Sequence, residues 1–193
     1  MGAGPVSRLP TLTSLKLWGC ASVTDKQVQE LSKLTGLTSL NLRACINATA
    51  EGLRLVSSLT ALTNLNASGC PNVTAEVLHA MSSLTALSSL SLGGCINVSS
   101  EGLRAVSSLS ALSILNLSHC TNVTAEVLRA VSSLSALTNL YLLGCDKVTD
   151  EGLRAVSSLT GLTNLNISYC TNVTAAGKQA LRDATPNLKI QDL

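Results

Sequence analysis

A chain of 193 residues ordinarily folds into one or two globular domains, but this one has no Phe, and its aromatic residues are Trp18, Tyr141 and Tyr169. Bulky rings therefore cannot fill a globular centre, and Leu, Val, Ile and Cys must build an interior of thin layers. A formal charge of +2 without any run of Lys or Arg points to neither nucleic acid nor an anionic membrane as a partner.

The first ten residues, Met1 to Pro10, hold no apolar stretch long enough for a secretion signal. Gly2 stands where myristoylation would need it, but Val6 occupies the place of the required Ser or Thr. Ser, Thr and Asn interrupt every hydrophobic segment, so none can span a bilayer. The expectation is a soluble, cytoplasmic protein.

Beyond this segment the chain repeats. Cys20, Cys45, Cys70, Cys95, Cys120, Cys145 and Cys170 follow one another at intervals of 25 residues. Seven units begin at Leu12, Leu37, Leu62, Leu87, Leu112, Leu137 and Leu162. Within one unit the apolar spacing changes. Leu40 and Leu42 alternate with Ser39, Asn41 and Arg43, which predicts a short strand with one buried face. Leu53, Val56 and Leu59 then recur at helical spacing from Glu51 onward. Thr49 is the expected N-cap, and Glu51 places a negative charge in the first turn.

A unit of this kind buries its apolar face only by stacking on its neighbours. Parallel strands sit about 4.8 Å apart, whereas helices need roughly 8–10 Å. The helical side must therefore fan outward. The predicted fold is an α/β, right-handed β-α solenoid of seven repeats, with a curved parallel sheet on the concave face and helices on the convex face.

The pattern LxxLxLxxC, followed by helix starts such as V-T-D-E-G at Val148–Gly152, resembles the cysteine-containing class of leucine-rich repeats. Such repeats occur in the recognition domains of F-box proteins and in many microbial and algal proteins. The resemblance covers residues from about Leu9 to Leu193 and implies protein–protein recognition, commonly through the concave face; an F-box itself is not found. One domain is expected over residues 1–193. It divides into an N-terminal cap segment (1–11), six regular repeats (12–161), and a final repeat with C-terminal cap (162–193).

A longer period overlies the first. Gly52, Gly102 and Gly152 alternate with Val77 and Val127 at one helix position, as duplication of a repeat pair would produce. The terminal units are more polar, with Lys26, Gln27, Gln29 and Glu30 at one end and Lys178, Gln179, Arg182 and Asp183 at the other. Solenoids shield their open ends in this way.

No residue set reads as catalytic, and no cofactor or metal is expected. Zinc sites need clustered cysteine pairs, whereas these cysteines are evenly spaced and fit a ladder of buried thiols that donate weakly to loop carbonyls. Such a ladder suits a reducing compartment. Asn47, Asn72, Asn97, Asn122 and Asn172 lie in N-x-S/T sequons, but without secretion they read as turn residues bonded locally. Glu51/Arg54, Glu101/Arg104, Glu126/Arg129 and Glu151/Arg154 stand three apart, as pairs on a solvated helix surface would. His79 replaces an Arg of other units and reads as a surface residue.

Variation between the units gathers on the outward side of the strands and just beyond it. One position reads Lys16, Asn41, Asn66, Ser91, Asn116, Tyr141, Asn166. Two residues later it reads Trp18, Arg43, Ser68, Gly93, Ser118, Leu143, Ser168, and next Gly19, Ala44, Gly69, Gly94, His119, Gly144, Tyr169. All three aromatics of the chain fall in these sets, and Trp, Tyr and Arg are enriched in binding hot spots. The expected partner-binding residues are Lys16, Trp18, Asn41, Arg43, Asn66, Asn116, His119, Tyr141, Leu143 and Tyr169. Two end roles compete with binding: Trp18 packing on the N-terminal segment and Tyr169 closing the other end. The leading reading is a monomeric, non-enzymatic module that binds a protein or peptide, without nucleic acid or membrane. A structural or engineered repeat scaffold without a ligand, and the substrate-recognition part of a ubiquitin ligase, are the alternatives.

Overall fold

The computed structural model describes residues 12–20 and 22–192. The expected N-terminal cap segment, residues 1–11, lies outside the described residues. Eight three-residue strands form one parallel sheet in chain order: β1 (Ser14–Lys16), β2 (Ser39–Asn41), β3 (Asn64–Asn66), β4 (Ser89–Ser91), β5 (Ile114–Asn116), β6 (Asn139–Tyr141), β7 (Asn164–Asn166) and β8 (Lys189–Gln191). Every junction keeps the 25-residue offset, from Leu15 opposite Leu40 to Leu165 opposite Ile190. The eighth strand lies in the expected cap region and carries the register past the last cysteine.

Between the strands run α1 (Asp25–Leu31), α2 (Ala50–Arg54), α3 (Ala75–Met81), α4 (Ser100–Arg104), α5 (Ala125–Val131), α6 (Asp150–Val156) and α7 (Ala175–Ala184). The fold is therefore a leucine-rich repeat β-α solenoid. Thr49 caps α2 as expected, its hydroxyl accepting from the Gly52 amide at 3.4 Å. The helical spacing of Leu53, Val56 and Leu59 overstates the length of that helix. After Arg54 the chain tightens into a 3-10 turn over Leu55–Ser58, and Leu59 is already on the return. Ala105–Ser108 repeats this tightening after α4, whereas α3 and α5 run seven residues unbroken.

One continuous core joins all units. Leu40, Leu42, Cys45, Leu53, Val56, Leu59 and Leu62 are buried in the second unit, and their equivalents recur along the stack. Polar ladders stitch the layers together beside it. Thr38, Thr63, Ser88, Ser113, Thr138 and Thr163 each donate a hydroxyl to the carbonyl of the equivalent residue one unit earlier, at 2.9–3.1 Å.

The cysteines form a second ladder. Sγ of Cys70, Cys95, Cys120, Cys145 and Cys170 donates to a strand-end carbonyl of the preceding unit at 3.0–3.2 Å. Burial is the main cause that pushes the Cys95 and Cys145 thiols up to about 12, and Cys120 to about 11. At neutral pH these side chains are protonated donors, which the carbonyls require.

The sequon asparagines differ from the local turn bonding expected of them. Nδ2 of Asn72 reaches the Ala48 carbonyl at 2.9 Å, Asn97 reaches Pro71 at 2.8 Å and Asn122 reaches Val98 at 2.9 Å. They bond between units because stacked loops present a neighbouring carbonyl at each level. The helix charges also pair differently from the i,i+3 reading. Arg129 meets Glu151 and Arg104 meets Glu126 at 3.8 Å, across adjacent helices rather than along one.

Candidate partner-binding face

Strand alternation turns Leu15, Leu40, Leu65 and their equivalents into the core and the residues on either side outward. The fan of helices behind the sheet makes this outward side concave. Three rows of side chains cross it, at the first and last strand positions and at the residue two beyond. The last two are the rows singled out by variation; the first, which that reading missed, contains Ile114.

At one end, Trp18 and Arg43 lie directly opposite one another, since the Gly19 amide bonds to the Arg43 carbonyl at 2.8 Å. Trp18 is 67% exposed, and its alternative role, packing on the N-terminal segment, involves residues outside those described. Lys16 and Arg43 are also exposed, and neither joins an ion pair among the described residues. Toward the other end, Ile114 on β5 and Tyr141 on β6 are diagonal neighbours across the pair Asn116–Tyr141. Leu143 follows on the same side, and Asn139 donates to the Tyr141 hydroxyl at 3.5 Å. Ile114 is more than one-third exposed although every other residue in its row is polar. That contrast was readable in the sequence.

Asn41, Asn66 and Asn116 have a local duty. Their Oδ1 atoms accept from the amides of Arg43, Ser68 and Ser118, each at 2.9 Å. This ends each strand and leaves the Nδ2 donors of these three residues unused by any described residue. Asn166 makes the same bond to Ser168 and passes its Nδ2 to Gln191 on the last strand at 2.8 Å.

The third variable row has a backbone explanation. All seven positions have φ between 57° and 73°: Gly19, Ala44, Gly69, Gly94, His119, Gly144 and Tyr169. Gly suits this left-handed bend, and a side chain there carries strain. Variation in this row is therefore mostly a preference for Gly, against which Ala44, His119 and Tyr169 are exceptions. His119 projects along the stack, its Nδ1 lying 2.6 Å from where a Cβ at Gly144 would stand. Tyr169 is 70% exposed and packs no end closed.

No group of three or more His, Cys, Asp or Glu suited to a metal ion occurs among the described residues. A groove of about 300 Å³ between α6 and α7 is lined by Leu153, Arg154, Ala176, Ala180 and Leu181, among others. His79, on the convex side, holds its Nδ1 2.7 Å from the Ala75 carbonyl. No described helix is long and apolar enough to cross a membrane.

Solved structures share this architecture. Internalin C2 of Listeria monocytogenes superposes with a TM-score of 0.64 at 23% identity, over 94% of this chain and 74% of that one. A Leptospira interrogans leucine-rich repeat protein matches at 0.56 and 18%, covering 84% of this chain and 45% of its own. A chain of the yeast Rad7–Elc1 complex matches at 0.52 and 18%, over 95% and 63%. These likenesses establish the fold. No family model and no curated protein matches the chain.

Proposed function

We propose that the protein is a non-enzymatic interaction module that holds a protein or peptide against its concave sheet face. The observation that carries this reading is the separation of roles along each strand. Framework leucines are buried from the second unit onward and partly buried in the first, while Trp18, Arg43, Tyr141 and Leu143 depart from the Ser, Gly and Asn of their rows and stand on the outward side. Exposed apolar and aromatic side chains on a concave surface are the usual makings of a recognition site. The finer repeat class fits the cysteine ladder, since Cys70, Cys95, Cys120, Cys145 and Cys170 each supply a buried donor to a carbonyl of the preceding unit. Protonated buried thiols suit a reducing, cytoplasmic setting, and the expected state is monomeric.

The scaffold reading requires the outward side chains to be idle. A pull-down from lysate with mass spectrometry separates the two, using the parent and a variant carrying Trp18→Ser, Arg43→Ser, Tyr141→Ser and Leu143→Ser. A partner captured by the parent and lost by an equally stable variant supports the module. Identical captures, or none, leave the scaffold. No described residue favours the ubiquitin-ligase reading.

A further inference from the structure

The charges of this protein are distributed unequally between its two sides. Among the described residues, the three outward rows of the sheet contain Lys16, Arg43 and Lys189 and not a single Asp or Glu. The carboxylates stand on the helices, the loops and the stretch after β8. Arg104, Arg129, Lys178 and Arg182 are neutralised there by Glu126, Glu151 and Asp192. Lys16, Arg43 and Lys189 have no such partner among the described residues.

Hydrogen-bonding capacity is skewed in the same direction. In the last strand row, the oxygens of Asn41, Asn66 and Asn116 are consumed by backbone amides, so these residues present donors. A face that offers cations and N–H groups and carries no carboxylate among the described residues is complementary to a ligand rich in carboxylates.

Resting on the concave-face reading above, we infer that the partner is an extended acidic peptide segment. Its carboxylates lie over Lys16 and Arg43, beside Trp18, and an apolar side chain enters the patch formed by Ile114, Tyr141 and Leu143. The spacing follows from the sheet. Four strand intervals from β1–β2 to β5–β6 span about 19 Å, or about six residues of extended chain. The acidic cluster and the apolar anchor are therefore about six residues apart.

A nucleic acid is the competing anion, and the geometry disfavours it. Strands β3 to β7 carry no cation on this face, so phosphates crossing the centre would lie uncompensated. A peptide can be acidic at one end and neutral beyond.

Randomised 12-residue peptides displayed on phage test this, panned against the intact protein. Counter-panning uses the Lys16→Glu/Arg43→Glu variant and the Tyr141→Ser/Leu143→Ser variant, each with unchanged thermal unfolding. Expected are sequences with Asp or Glu clustered about six residues from an apolar side chain. Synthetic copies should bind about tenfold more weakly when Glu becomes Gln, the loss of one charge-assisted contact. Capture should fall on both variants. Neutral or basic sequences lost only on Tyr141→Ser/Leu143→Ser would overturn the acidic partner and keep the concave site. Sequences lost on neither variant, or no enrichment, would overturn both. Tighter binding of a 12-residue oligothymidylate than of the selected peptides would replace the peptide by nucleic acid.

Discussion

His119, Tyr169 and Ala44 share a backbone bend that the other four units give to Gly. A non-Gly residue in this region costs about 1–2 kcal/mol, offset in part by the extra freedom that Gly has in the unfolded chain. His119→Gly and Tyr169→Gly are expected to raise stability by about 0.5–1 kcal/mol each in urea unfolding. Gly144→Ala should lower it by more than the backbone term alone, since the new Cβ would meet His119 Nδ1 at 2.6 Å. Strain of this kind persists where a side chain is wanted for something else. If Tyr169→Gly weakens partner capture while stabilising the fold, Tyr169 belongs to the binding face.

The thiols give a second prediction at this scale. Cys95 and Cys145 titrate near 12 when folded, against an ordinary value of 9.0, because burial disfavours the thiolate. Above pH 9 the unfolded chain therefore loses protons that the folded chain keeps. Stability is unaffected by these groups below that value and declines as pH rises toward 12, by about 1 kcal/mol per thiol at pH 10. Urea midpoints measured at pH 8 and pH 10 should show the decline. Cys145→Ala should cost about 1 kcal/mol at pH 8 through the lost bond to Leu117, and should make the pH dependence shallower.

At the scale of elements, junctions between units differ in how closely their helices approach. A Cβ at Gly102 would stand 2.6 Å from the Ala75 Cα. Because the obstruction is backbone, Gly102→Ala must push α4 from α3 and is expected to cost about 1–3 kcal/mol in thermal unfolding. At two junctions near the ends, a carboxylate fills the corresponding space. Asp25 accepts from the Thr49 amide and hydroxyl, and Asp150 accepts from those of Thr174. These bonds hold the Asp150 carboxyl below its ordinary value. Its contribution is thus present above the usual carboxylate range and is lost as pH falls through the depressed folded value. The gap in melting temperature between the parent and Asp150→Ala should shrink as pH falls from 6 toward 3, a window set by the ordinary carboxylate value. A gap that persists unchanged would rule this linkage out.

Much of this level was legible beforehand. The 25-residue period, the strand-to-helix switch and the Thr49 cap are local patterns, and local patterns survive folding. What eluded the sequence depends on neighbours one unit away. The Asn72 bond to Ala48 and the pairing of Arg129 with Glu151 cross between layers, so no spacing within one unit reveals them. Strand β8 was missed because Asn187 and Asp192 replace the apolar residues that mark earlier units.

For the whole molecule, the repeat stack separates stability from recognition. Core leucines, thiols and hydroxyl ladders recur in every layer, which leaves the outward rows free to differ between units. The sequence located the candidate face through variation but credited the left-handed row with too much of it, since backbone conformation is not readable from a list of side chains. It also missed Ile114, whose row is otherwise polar.

The most direct measurement places a benzoylphenylalanine photocrosslinker in place of Tyr141 and, separately, in place of His79 on the convex side. Irradiation in lysate should yield a crosslinked partner from position 141 and none of that species from position 79. The same species captured from position 79 alone would show that the helices carry recognition, and the concave-face assignment would be wrong.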